Sequence, residues 1–293
     1  MANLKEIRTR ITSVKSTRQI TSAMKMVSAA KLRKAQDAII QLRPYASKLE
    51  MLLDDVAKNV DSHEVNLYLN KREVNKALFI VITSNKGLCG AFNSNVVKNV
   101  IADIQEEYAE LAKKGGIEIF CVGKKGAELL KSKGYKSTYD YHDLLEDIQY
   151  SEIKNIALDL NNKYLNGKFD LIKIYYNQFK NAANQEVIAD QYLPFELPEQ
   201  KAYAEVHFDY ILEPSKESIV GWLIPKSLKI KLYKAVLDSN ASEQGARMTA
   251  MHKATDNASE LIKELQLEYN KARQAAITNE ILEIVGGAEA LKT

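Results

Sequence analysis

The first 60 residues of the chain have the hydrophobic spacing of one long helix. From Asn3 to Arg43 they contain no proline or glycine. Apolar side chains recur at alternating intervals of three and four residues, and this register continues past Pro44. The spacing predicts a coiled-coil helix that bends at the proline and ends near Val60. The positions of this seam are Leu4, Ile7, Ile11, Val14, Arg18, Thr21, Lys25, Ser28, Leu32, Ala35, Ile39, Leu42, Ala46, Leu49, Leu53, Val56 and Val60.

The middle of the seam is polar. Its residues there are Arg18, Thr21, Lys25 and Ser28. The neighbouring apolar residues are displaced to Ile20, Met24 and Val27. Because successive helix residues are about 100° apart, we expect these three side chains to point away from the seam.

The C-terminal part of the chain predicts a second long helix. Between Lys226 and Val285 there is no proline and one glycine, Gly245. An unbroken helix of that length measures about 90 Å. We expect a break before it, around Gly221 and Pro225. Small side chains recur every fourth position at Ser242, Ala246, Ala250, Ala254 and Ala258. A larger apolar seam is predicted at Met251, Ala254, Ala258, Leu261 and Leu265.

Between the two helices, short apolar runs alternate with amphipathic stretches. The predicted strands are 77–83, 117–123, 169–179 and 186–195, the last at a sheet edge because of its proline. The predicted helices are 93–113, 124–134 and 151–167. This alternation predicts a small doubly wound, Rossmann-like α/β domain. The fold class is therefore α/β plus a long antiparallel coiled coil, with the domain inserted between N- and C-terminal helices that pair as a rod. The predicted division is 1–60, 74–198 and 215–293.

Charge is unevenly placed along the chain. The net charge is only +3, yet the first 34 residues hold nine basic side chains and one acidic side chain, Glu6. A basic helix suits nucleic acid, an anionic membrane, an acidic protein surface or plain solvent. No aromatic residue is present there to stack on bases, so we predict an acidic protein partner and no nucleic acid.

The compositional signals predict a protein without its own membrane segment. Cys89 and Cys121 are too few for a disulfide framework or a zinc site and indicate a reducing compartment. The N-terminus lacks the apolar core of a signal peptide, and the longest apolar run, ALFIVI, is far too short to cross a bilayer. We therefore expect membrane association only through partners.

The sequence predicts no catalytic, cofactor or metal site. The loop SNKGLCG stands where α/β folds bind phosphate, but it has neither the GxGxxG nor the GxxxxGK[ST] order. Cys89 in that loop would need a nearby base to act as a nucleophile, and a buried structural role is the simpler interpretation. None of His63, His142, His207 and His252 lies in a recognisable catalytic string.

Three separate strings resemble one family over essentially the whole chain. They are KEIRTRITSVKSTRQITSAMKMVSAAKLRKAQ, the internal TSNKGLCGAFN, and SEQGARMTAMHKATDNASELIKELQLEYNKARQAAITNEILEIVGGAEA. All three are similar to the γ subunit of the F-type ATP synthase. The resemblance implies a rotating central stalk that couples the flow of protons or sodium ions to ATP synthesis. It implies a non-catalytic subunit whose partners are the α and β subunits of the α3β3 ring, the ε subunit and the membrane c-subunit ring.

The resemblance also implies which side chains touch the stator. The matching positions are Met24, Lys25, Glu243, Gln244, Arg247, Gln274, Thr278 and Glu280. No segment resembles an organellar transit peptide or the regulatory cysteine insertion of chloroplast members. The expectation is therefore a bacterial protein, peripheral to the cytoplasmic face of the inner membrane. Two other interpretations remain open at this point: a coiled-coil tether with a non-catalytic Rossmann-like domain, and a Rossmann-like enzyme with a dimerising coiled coil.

Overall fold

The computed structural model describes residues 4–57, 67–69, 71–141, 143–195 and 213–290. The helices are α1 Leu4–Ala57, α2 Phe92–Glu106, α3 Ala109–Lys113, α4 Lys124–Ser132, α5 Tyr150–Leu165 and α6 Lys216–Ala290. The strands are β1 Ala77–Ile82, β2 Ile117–Val122, β3 Ser137–Asp140, β4 Leu171–Phe179 and β5 Gln185–Leu193, with a 3-10 turn at Asp143–Leu145. The chain divides into two compact units, Met1–Ser28 with Met248–Thr293, and Ala29–Arg247.

The larger unit contains a five-stranded sheet in the order β3-β2-β1-β4-β5. β1 pairs in parallel with β2 and β4, and β2 pairs in parallel with β3. β5 is antiparallel to β4 and lies at the edge, as predicted for a strand followed by proline. Every residue of β1 is buried, which is the property that its uninterrupted apolar run predicts.

Helices cover both faces of this sheet, which confirms the Rossmann-like prediction. Leu78, Ile80 and Ile82 of β1 face one core, and the alternate residues of the strand face the other. The second core is covered by α2 and by Leu130 of α4. The first core is covered by α5 together with the second half of α1 and the first part of α6. The two long helices are thus part of the domain's own core.

Gly221 and Pro225 do not break α6, although the sequence predicts a break there. The helix runs from Lys216 to Ala290 without interruption at Gly221 or Pro225. Val220, Leu223, Ile224 and Leu228, which flank the two breakers, are all buried in the first core. This packing stabilises the helical backbone where propensity alone would not. α1 likewise continues through Pro44, up to Ala57; the predicted end at Val60 lies outside the described residues.

Two further differences from the sequence pattern arise from contacts distant in sequence. The predicted helix 93–113 is divided into α2 and α3 at Glu107 and Tyr108. Lys173 of β4 holds both residues, with its Nζ 2.9 Å from Glu107 Oε2 and 4.9 Å from the centre of the Tyr108 ring. β3 was not predicted, because its four residues, STYD, have no apolar run.

In the larger unit, α1 and α6 run antiparallel. Residues late in α1 meet the early part of α6: Tyr45 lies against Lys226, and Glu50 lies near Lys234. Lys31, earlier on α1, acts electrostatically on Glu243, later on α6. The predicted seam is confirmed along this part of α1. Its buried positions are Leu32, Ala35, Ile39, Ala46, Leu49, Leu53 and Val56.

In the smaller unit, two of the four polar seam positions, Thr21 and Ser28, are buried, whereas Lys25 is half-buried and Arg18 is exposed. Thr255 Oγ1 donates to Thr21 Oγ1 at 2.8 Å, and Ser28 is 1% exposed. Ile20 and Val27 are exposed, as predicted, and Met24 is half-buried. The predicted seam of α6 is wrong at Leu261, which is 41% exposed, whereas Ile262 is 5% exposed. The buried positions from Met251 onward are Met251, Ala258, Ile262 and Leu265, at intervals of seven, four and three residues.

Two small residues of α6, Ser242 and Gly245, lie against the β4–β5 hairpin. A Cβ built on Gly245 would lie 3.3 Å from Ala182 Cα in the β4–β5 turn and 3.5 Å from Phe179 Cε2. Ser242 Oγ donates to the carbonyl of Asn177 on β4 at 3.0 Å. The glycine within this helix is thus explained by the close approach of the hairpin.

Replacing Gly245 by valine should therefore destabilise the protein. Valine adds two methyl groups beyond a Cβ that is already tight, and overpacking of this kind costs about 1–3 kcal/mol. The matched control is Gly286→Val in the same helix, where a Cβ meets nothing within 4 Å. Urea unfolding, followed by the fluorescence of Trp222, the chain's single tryptophan, measures both variants. Equal midpoints for the two variants would show that the hairpin does not constrain this position.

A buried carboxyl group also lies in α6. Asp238 is 2% exposed, and its Oδ1 has no hydrogen-bond partner among the described residues. Burial raises the pKa of Asp238, although Lys234, Arg43 and Lys180 act in the opposite direction. Its ionised form therefore lowers the free energy of unfolding at neutral pH.

Asp238→Asn should stabilise the protein at neutral and alkaline pH. The pKa of Asp238 is higher in the folded state than in the unfolded state. The destabilisation by its ionised carboxylate is therefore fully present at pH values above the folded-state pKa. The penalty disappears as the pH falls towards the unfolded value, about 3.9. Thermal unfolding should show a higher midpoint for the variant at about pH 8 and a gain that shrinks towards about pH 4. Asp37→Asn, at an exposed site of α1, is the control. A gain that is independent of pH would contradict this explanation.

Candidate functional site

The loop between β1 and α2, residues 83–91, is held at its base by a buried polar network. The Ser84 N–H donates to Asn93 Oδ1 at 2.9 Å, and Ser84 Oγ donates to the Lys86 carbonyl at 2.7 Å. Asn93 Nδ2 lies 2.8 Å from Ser84 Oγ and 3.3 Å from Cys89 Sγ. Ser84, Cys89 and Asn93 are all buried. These contacts are internal to the motif TSNKGLCGAFN and give the loop a defined shape.

The donors that would bind a phosphate at this sheet edge are already used within the chain. At the start of α4, the Lys125 N–H donates to the Ser84 carbonyl at 3.0 Å and the Gly126 N–H to Thr83 Oγ1 at 3.0 Å. The Lys124 N–H donates to Asn85 Oδ1 at 3.2 Å. A helix N-terminus binds anions through such backbone N–H groups. Because these three N–H groups are used within the chain, the start of α4 does not offer them to a phosphate.

Cys89 has the environment of a structural cysteine. It is 1% exposed, and burial raises the pKa of its thiol. A reactive cysteine requires a lowered pKa and access to solvent. The geometry therefore opposes a nucleophilic role for Cys89.

Arg247 of α6 clamps the tip of this loop. Its guanidinium donates to the carbonyls of Gly87 and Lys86, the latter at 3.2 Å, and forms an ion pair with Glu243 one turn earlier. Arg247 is 7% and Gln244 8% exposed. Burial raises the pKa of Glu243, against the effect of Arg247. Three of the predicted stator contacts, Glu243, Gln244 and Arg247, therefore lie in the interior of the larger unit.

The other predicted contacts lie in the smaller unit and are more accessible. Met24 and Lys25 are half-buried on α1, and Gln274, Thr278 and Glu280 are exposed on α6. Thr278 Oγ1 donates to the Gln274 carbonyl one turn earlier at 3.0 Å. Apolar side chains are exposed around these three residues: Ile277, Ile281, Leu282, Ile284 and Val285. An isolated helix seldom exposes so continuous an apolar surface, which indicates that this end is covered by a partner.

No sequence pattern predicted the conformation of Leu88, which is 65% exposed at the loop tip with φ 64°. A non-glycine residue with positive φ is uncommon and often marks a functional position. No sequence signal pairs this loop with Arg247, because the two lie about 160 residues apart.

Neither a metal-binding cluster nor a membrane-spanning helix is present among the described residues. Among them, no group of three or more histidine, cysteine or carboxylate side chains is arranged to hold a metal ion. Of the helices that the structure describes, none combines the length and apolarity needed to span a membrane.

Comparisons with known proteins agree over the full length of the chain. Residues 3–291 match the family described as ATP synthase. The chain is 56% identical to the ATP synthase gamma chain of Flavobacterium johnsoniae and 50% identical to that of Cytophaga hutchinsonii, with 99% of each chain covered in both cases. A chain of the Euglena gracilis mitochondrial ATP synthase has the same fold at 21% identity, with a TM-score of 0.68 over 98% of this chain and 94% of that one.

A central-stalk chain of the Tetrahymena thermophila mitochondrial ATP synthase is 25% identical, with a TM-score of 0.56 over 80% of this chain and 99% of that one. Neither a generic tether nor a Rossmann-like enzyme explains a match of this extent. The antiparallel helices, the inserted α/β domain and the sequence relatives lead to one conclusion. The chain belongs to the γ subunits of F-type ATP synthases, the rotating central stalks of these complexes.

Proposed function

We propose that this rotor subunit acts on the α and β subunits through two sets of side chains. The direct contacts are Met24 and Lys25 on α1 and Gln274, Thr278 and Glu280 on α6. Glu243, Gln244 and Arg247 form the second set. Because little of these side chains is exposed, we propose that they hold the contact surface in shape and do not touch another subunit themselves. The observation that carries the proposal is the exposed end of α6, where polar and apolar side chains lie on a helix without intrachain cover.

The physical requirement on such contacts is that they change with the angle of the rotor. A partner shifts a conformational equilibrium only by interacting differently with its two states. Gln274 and Thr278 lie one turn apart on the same face of α6, whereas Glu280 lies about 160° around the helix from Thr278. At any one angle these faces meet different subunits of a surrounding ring. The helix therefore offers each β subunit a different set of hydrogen bonds as it turns.

The apolar residues near the end of α6 suit a bearing. Ile281, Leu282 and Ile284 are more than half exposed, at 54%, 63% and 71%. Apolar contacts are non-directional, so they hold a turning helix without favouring one angle. Hydrogen bonds are directional, and the polar residues on the same helix supply the dependence on angle.

We assign the three predicted segments of the chain to different partners. Residues 1–60 and 215–293 form the shaft within the α3β3 ring. Residues 74–198 form the foot, which meets the ε subunit and the c-subunit ring. Ion flow through the ring of c subunits turns this foot, and the helices that share its core carry the rotation to the β-subunit sites. The chain itself does no bond chemistry.

Gln274→Ala and Thr278→Ala should reduce coupling with little effect on folding. Each removes one polar group from the exposed face, and the loss of one hydrogen bond corresponds to about a two- to tenfold change in rate. Gln266→Ala is the matched control, because Gln266 is also an exposed glutamine of α6 but lies outside the predicted set. ATP hydrolysis and ATP-driven ion transport by the assembled complex measure the effect. Equal coupling in Gln274→Ala and Gln266→Ala would contradict a contact at Gln274.

We also propose that the chain lies at the cytoplasmic face of the bacterial inner membrane, held there by its partners. Inverted membrane vesicles expose this face and intact spheroplasts enclose it. Added protease should therefore cleave the chain in inverted vesicles without detergent and leave it intact in spheroplasts. A low-salt chelator wash should release it together with α and β subunits. Cleavage in intact spheroplasts would overturn this location.

A further inference from the structure

The contact between Arg247 and the β1–α2 loop is the most completely built polar site outside the exposed end of α6. One guanidinium is shared among two loop carbonyls, those of Gly87 and Lys86, and the carboxylate of Glu243. The planar fork of arginine suits several acceptors at once, and such charge-assisted bonds are among the strongest in proteins. The arrangement joins two segments about 160 residues apart.

Burial makes this arrangement difficult to exchange for an external partner. The side chains of Arg247 and Glu243 are 9% and 12% exposed. A buried charge is tolerated only when its partners replace water. Arg247 would have to leave all three acceptors to reach another subunit, and Glu243 would then remain buried without its cation. The geometry favours a role inside the chain.

The loop that Arg247 holds is exposed at its tip. Leu88 is 65% exposed in a left-handed backbone conformation, and Lys86 is also exposed. Ser84 Oγ of the network at the base of the loop also donates to the Lys86 carbonyl, but the bonds of Ser84, Cys89 and Asn93 described above do not include the Gly87 carbonyl. The contact of the Gly87 carbonyl with α6 is therefore made by Arg247.

We propose that Arg247, with Glu243, is a positioning residue: it holds the tip of the β1–α2 loop against α6 and so fixes the surface formed by Lys86 and Leu88. This inference deepens the function proposed above and rests on it, because the loop is taken as part of the surface that the rotor presents to other subunits. A loop that yields under load transmits less force than one clamped to a helix. Loss of the clamp should therefore weaken coupling although Arg247 makes no contact of its own with another subunit.

The two cysteines of the chain provide a native test. Cys89 lies in the loop at 1% exposure, and Cys121 lies in β2, in the sheet, at 0%. Opening of the loop exposes only Cys89, whereas unfolding of the domain exposes both. Burial also raises the pKa of the Cys89 thiol, which keeps its reaction slow while the loop is closed. Maleimide labelling of the full chain, resolved by peptide mass spectrometry, measures the two rates separately.

The variants are Arg247→Ala, Arg247→Lys and Glu243→Gln, with Arg273→Ala, an exposed arginine of the same helix, as the matched control. Arg247→Ala should increase the labelling rate of Cys89 about tenfold or more, with Cys121 unchanged, because hydrogen bonds from a charged group are lost. Arg247→Lys should fall in between, since a single ammonium cannot serve two carbonyls and a carboxylate in one plane. Cys89 rates equal to those of Arg273→Ala overturn the clamp. If Cys89 and Cys121 rise together in Arg247→Ala, the change is general destabilisation, and the clamp is likewise overturned unless Glu243→Gln raises Cys89 alone.

Coupling in the assembled complex separates positioning from direct contact. Positioning predicts that the loss of ATP-driven ion transport follows the Cys89 labelling rate across the three variants, including Glu243→Gln, which leaves the charge of Arg247 in place. Direct contact predicts loss of coupling in Arg247→Ala with Cys89 still protected, and this result would overturn the inference. Fast Cys89 labelling with normal coupling also overturns it. The proposed contacts at Gln274 and Thr278 are tested independently, by the variants Gln274→Ala and Thr278→Ala.

Discussion

The structure of the larger unit depends on the burial of one face of the β-sheet beneath the two terminal helices. Leu78, Ile80 and Ile82 of β1 form one core with Leu53 of α1 and Ile224 of α6. Each fully buried aliphatic side chain of this kind contributes about 1.5–3 kcal/mol. In most α/β folds the covering helices are local to the sheet. Here the two terminal helices supply part of the cover, so the sheet and the parts of α1 and α6 within Ala29–Arg247 form one compact unit.

This sharing of one core has a mechanical consequence for a rotor. Interiors packed at crystal-like density transmit strain instead of absorbing it. A torque applied to the sheet therefore reaches α1 and α6 through buried side chains and not through a flexible linker. The close approach of the β4–β5 hairpin at Gly245 and the Arg247 clamp on the β1–α2 loop add two more points of attachment to the same helix. All three attachments lie within Ala29–Arg247.

Much of this fold is visible in the sequence because the signals are local. The three-and-four spacing along α1 predicted buried positions from Ile7 to Val56, and the run ALFIVI predicted a buried central strand. Two of the failures have their cause in distant contacts. Pro225 does not end α6 because its neighbours are buried in the core, and Lys173 divides a predicted helix at Glu107 and Tyr108.

At the candidate site, too, the sequence did not predict contacts between distant residues. Family resemblance supplied the positions of Arg247 and Glu243, but no pattern indicated that both are buried. Arg247 donates to the backbone carbonyls of Gly87 and Lys86. Every residue has a backbone carbonyl, so the sequence does not indicate which ones bind the arginine. Cys89 was interpreted correctly as buried, because no base accompanies it in the sequence and its loop is otherwise rich in small residues.

The polar stretch of the α1 seam has an internal explanation as well as a functional one. Thr21 is 8% exposed and accepts a hydrogen bond from Thr255, so one polar seam position is used within the helix pair itself. Both hydroxyls also lie within hydrogen-bond distance of a carbonyl of their own helix, Thr21 with Arg18 at 3.1 Å and Thr255 with Met251 at 2.8 Å. The bond between them therefore favours one register of the two helices, although neither hydroxyl depends on it. The displaced apolar residues Ile20 and Val27 are then exposed on a helix for which this pair favours one register. A rotor needs both properties, since side chains that meet another subunit at a defined angle must keep a fixed height along the axis.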